Sequence, residues 1–156
     1  MNAENLSTYL NDHLAGSVGA IQLAGHMIST CKEDALEQWL LKLKGEIEED
    51  QAILKKVIAS LGLEESAARK AVAWVAEKAS RAKLPFAGGG ELDSVQALEG
   101  LLLGVTGKRS LWRTLSRVPD VAARLAEFDL ANLEARAAGH YESIRGEIDL
   151  VAPAAF

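Results

Sequence analysis

Apolar residues recur along most of the chain at alternating spacings of three and four, the signature of helices that turn one face inward. The clearest run is Glu33–Leu61, EDALEQWLLKLKGEIEEDQAILKKVIASL. It places Leu36, Leu40, Leu43, Ile47, Leu54, Val57 and Leu61 on a single stripe. Asp50 falls where that stripe asks for a leucine, with Glu46 and Glu49 one turn before it. A carboxylate on a buried seam costs several kcal/mol unless a cation, a metal or hydrogen-bond donors meet it. What meets Asp50 is therefore the question the sequence poses.

The same period predicts three more long helices. Leu6–Thr30 carries Leu10, Leu14, Ile21, Ala24 and Ile28 inward, with Ser17 in the stripe and Tyr9, His13, Ala20 and Met27 on a neighbouring face. Thr30 and Glu33 have the spacing of a capping box for the helix that follows. Gly62 is placed to end that helix in a left-handed turn. Glu64–Arg81 reads as a shorter helix, and Lys83–Gly90, with a proline and three glycines, as a loop.

Glu91–Val118 is the third long helix, with Val95, Leu98, Leu101, Leu102, Val105, Trp112 and Leu115 inward. Gly100, Gly104 and Gly107 form a strip along it that permits a close crossing or marks a surface for a second subunit. After a break at Pro119, Val121–Ile148 is the fourth, followed by the tail LVAPAAF, expected to fray or pack late. No strand pattern appears. Two hairpins of long helices joined by the long connection Leu63–Gly90 predict an all-α fold, a single ferritin-like four-helix bundle over Met1–Phe156 whose crossover contains an additional short helix.

Composition narrows the function classes. Hydrophobic residues make up 49% and charged residues 25%, a globular balance. A net charge of -5 with scattered Lys and Arg argues against a nucleic-acid partner. Cys31 is the only cysteine, so an intrachain disulfide or a multi-cysteine metal site is excluded. With no basic leader and no apolar run of ~20 residues, the expected protein is cytoplasmic, without a membrane partner. No nucleophile triad or phosphate loop has a recognisable spacing, so no catalytic residue is assigned.

Depth along the helices supplies a candidate for the Asp50 partner. Asp50 lies 17 positions after Glu33 and Lys108 lies 17 after Glu91, each ~26 Å from one end of parallel helices. Counting back from Thr30 brings His13 to that depth, and the fourth helix is expected to contribute near Asn132 or Glu134. The predicted buried polar layer is thus Asp50 with Lys108 first and Arg109 second, and His13 as hydrogen-bond partner. His26 and His140 are read as structural, and Trp39, Trp74 and Trp112 as core anchors.

The segments YLNDHLAGSVGAIQLAGHM, EIEEDQAILKKVIASLG and ALEGLLLGVTGKRSLWRTL together resemble the ferritin-like superfamily, in a bacterial branch of small cytoplasmic members. The resemblance implies the bundle and a homodimer. Metal-bearing members use two Glu and two Glu-x-x-His pairs. Here Glu46-Ile47-Glu48-Glu49 lacks the histidine and Glu134 is followed three positions on by Ala137. The resemblance therefore implies a degenerate centre without cofactor and a non-catalytic binding or structural role. Its alternative is an iron or manganese carboxylate protein, an oxidoreductase or an iron-handling protein, with Glu46, Glu49, Asp50, Glu99 and Glu134 as ligands.

Overall fold

The computed structural model describes residues 2–66 and 90–156. Among them all regular structure is helical: α1 (Ala3–Thr30), α2 (Asp34–Ser60), α3 (Glu91–Ser116), α4 (Pro119–Arg124) and α5 (Leu130–Ala155). The expected short helix Glu64–Arg81 and the loop before Gly90 fall mostly outside the described residues, as does Trp74. No described helix is long and apolar enough to cross a membrane.

Local chemistry sets most of the boundaries. Asn2 accepts the Asn5 amide at 3.0 Å to start α1, and Asp129 accepts the Asn132 amide at 2.9 Å to start α5. Gly62, at φ +72°, ends α2. The Gly62 amide returns to Ala59 and the Leu63 amide to Ile58, a Schellman pattern that only a residue tolerating this φ closes without strain. Buried Asn11 then ties the outgoing chain to α1, donating to the Glu64 carbonyl at 3.1 Å and accepting the Ser66 amide at 3.0 Å.

Three sequence expectations need correction. Thr30 and Glu33 do not form a capping box: Thr30 is the last residue of α1, and its hydroxyl donates back to the His26 carbonyl at 3.1 Å. The helix expected over Val121–Ile148 is two helices. The first ends at Arg124, and after the turn through Leu125–Phe128 the Asp129 side chain caps a new start. The tail does not fray, since α5 continues to Ala155 through Pro153.

Contacts between helices fix their directions. Gln51 of α2 donates to Ser17 of α1 at 2.8 Å, and Lys44 lies beside Gly25. On the other side of α1, Cβ atoms at Gly100, Gly104 and Gly107 would meet Leu23, Ala20 and His13 in turn. The α3 glycines thus serve a close crossing within the chain. Both α2 and α3 run antiparallel to α1 and parallel to each other. Trp39 donates to Ser143 at 2.9 Å while Arg136 reaches Glu49, so α5 runs antiparallel to α2.

The core is in two parts. One gathers Leu10, Leu14, Leu54, Val57, Leu111, Trp112, Leu115, Val121, Leu125, Leu133 and Ala137. The other gathers Ala24, Leu40, Leu43, Ile47, Leu98, Leu101, Val105, Ile144 and Ile148. On three helices one polar residue separates the two: Asp50 between Ile47 and Leu54, Lys108 between Val105 and Leu111, His140 between Ala137 and Ile144. Here the site lies.

Candidate functional site: a buried polar layer

Asp50 is 4% exposed and Lys108 16%. The Lys108 ammonium donates to Asp50 Oδ2 and meets His140 Nδ1 at 2.9 Å. An ammonium has only hydrogens to offer, so Nδ1 must accept. The imidazole proton then sits on Nε2, which faces Glu46 Oε2 at 2.9 Å. The chain Glu46–His140–Lys108 has the form of the carboxylate–histidine–metal arrangement, with an ammonium where the cation would be.

Arg136, one turn before His140, closes the layer on the α5 side. Its guanidinium donates to Glu49 Oε2 at 2.5 Å and to the Glu46 carbonyl at 3.3 Å. Its Nε lies 3.2 Å from Asp50 Oδ1, an ionic contact without hydrogen-bond alignment, since Oδ1 accepts no hydrogen bond. Two cations therefore flank one buried carboxylate, satisfying the requirement that a buried charge be paired.

Burial tunes these groups. Loss of solvent lowers the Lys108 pKa, and the Asp50 carboxylate opposes that shift. His140 is pushed below its ordinary value first by burial and then by the Lys108 charge, with Asp50 and Glu46 pulling the other way. The hydrogen bond it donates to Glu49, ahead of other causes, raises Arg136. His140 is thus held neutral in the tautomer the hydrogen bonds require.

The other anticipated residues lie elsewhere. Arg109 is half exposed on the α3 surface, 3.9 Å from Glu134, which also faces Arg113 at 4.0 Å. His13 packs its ring edge-on against Tyr9, with centroids 4.7 Å apart, rather than bonding Asp50. Glu99 is exposed. Among the described residues no three His, Cys, Asp or Glu side chains converge as a metal would need. Of the carboxylates Glu46, Glu49, Asp50, Glu99 and Glu134, the first three meet Arg136 or His140 at the layer, while Glu134 faces Arg109 and Arg113.

No family model matches the chain, and no curated protein or solved structure does. The layer must be read from its own geometry.

His140 and Arg136 are the residues that sequence reasoning missed. His140 shares a face with apolar neighbours between Ala137 and Ile144 and reads as structural, and nothing in the local pattern singles out Arg136. The expectation of Asn132 or Glu134 at this depth assumed an unbroken helix from Val121. Because α5 starts at Leu130, the residues level with Asp50 lie further along.

A cleft of about 200 Å³ reaches the layer between α1, α2 and α3. Its lining includes Gly16, Ser17 and Ala20 on α1, Gly104 and Gly107 on α3, and Asp50, Lys108 and Trp112. A second cleft, of about 350 Å³, reaches Glu46, Arg136 and His140 between α2 and α5.

Proposed function

We propose that the protein is a non-catalytic ferritin-like helical bundle with a binding or structural role in the cytoplasm, in which the Lys108 ammonium takes the place of metal ions. The observation that carries this reading is the ammonium held between the Asp50 carboxylate and the Nδ1 lone pair of His140, itself oriented by Glu46. These are donor groups of the kind that ligate a cation, and a covalently tethered cation already satisfies them. The parallel course of α2 and α3, with α1 and α5 antiparallel to their neighbours, supports the ferritin-like topology.

Metal analysis tests the reading. Protein purified without chelator, then incubated with iron(II) or manganese(II) and desalted, is expected to retain far less than one metal ion per chain. Retention of about two per chain, the content of di-metal carboxylate bundles, would overturn it in favour of an oxidoreductase or iron-handling protein.

A further inference from the structure

We draw no further inference here: the strongest candidate, the cleft of about 200 Å³ between α1, α2 and α3 that Asp50 and Lys108 help to line, borders the polar layer already described, and nothing in the structure shows what occupies it.

Discussion

Replacing Lys108 by Met removes the ammonium from a carboxylate that is 4% exposed. Among the described residues Asp50 would keep the Arg136 contact at 3.2 Å, which lacks hydrogen-bond alignment, and the neutral His140 ring at 3.8 Å. Breaking one side of a buried pair costs ~3–5 kcal/mol, and the residual Arg136 contact places this variant near ~3 kcal/mol. Asp50→Leu should cost a similar amount, because the ammonium left behind has the His140 nitrogen and the Glu46 charge beyond it but no carboxylate bonded to it. In the double variant both charges are gone and two apolar side chains meet. Only the stranded His140 and Arg136 groups then remain to be compensated, at ~1–2 kcal/mol.

Urea unfolding of the wild type, both single variants and the double would therefore give a coupling energy of about 4 kcal/mol between the two sites. In thermal unfolding each single variant should lose about 6–12 °C, at ~2–4 °C per kcal/mol for a chain of this size. Single-variant losses that sum to the double within ~0.5 kcal/mol would show that Lys108 does not neutralise Asp50, and the account of the layer would fail with it.

Other expectations follow from the same geometry. Burial depresses both His140 and His13 below the unfolded histidine value. The unfolded chain thus binds protons first, and the stability these groups contribute is complete above ~6.5 and is lost as pH falls through their folded values. His140→Gln should flatten stability between about pH 5 and 7, and an unchanged slope in urea midpoints would contradict the neutral tautomer. Gly104→Ala, with its new methyl 4.0 Å from Ala20, should stabilise by up to ~1 kcal/mol through helix propensity; at Gly100 a Cβ would sit 3.2 Å from Leu23 and the gain should be smaller or reversed. Thermal melts of the two variants decide that order. Gly62→Ala, forced to φ +72°, should lose ~1 kcal/mol in the same assay.

Much of the architecture was legible because helical periodicity is a local property. The stripe Leu40, Leu43, Ile47, Leu54 and Val57 is buried as its spacing requires, and Gly62 terminates α2 as its conformational freedom allows. Asp50 stood out as the polar member of an apolar seam for the same reason. A residue's own helix tells which face it occupies.

Only the tertiary structure decided what shares that face across helices. His140 and Tyr141 are equivalent to a helical period, and packing against Asp50 and Lys108 selects His140. Arg136 is unremarkable in sequence, and its place beside Glu49 depends on how far along the chain α5 begins. That start was set by the Asp129 cap, and a shift of a few residues moves a side chain by a full turn. Thr30 likewise had the spacing of a cap, yet its hydroxyl was taken by α1. Periodicity thus determined the helices and the misplaced carboxylate. The depth at which each helix meets its neighbours, a relation between distant segments, determined the cations that surround it.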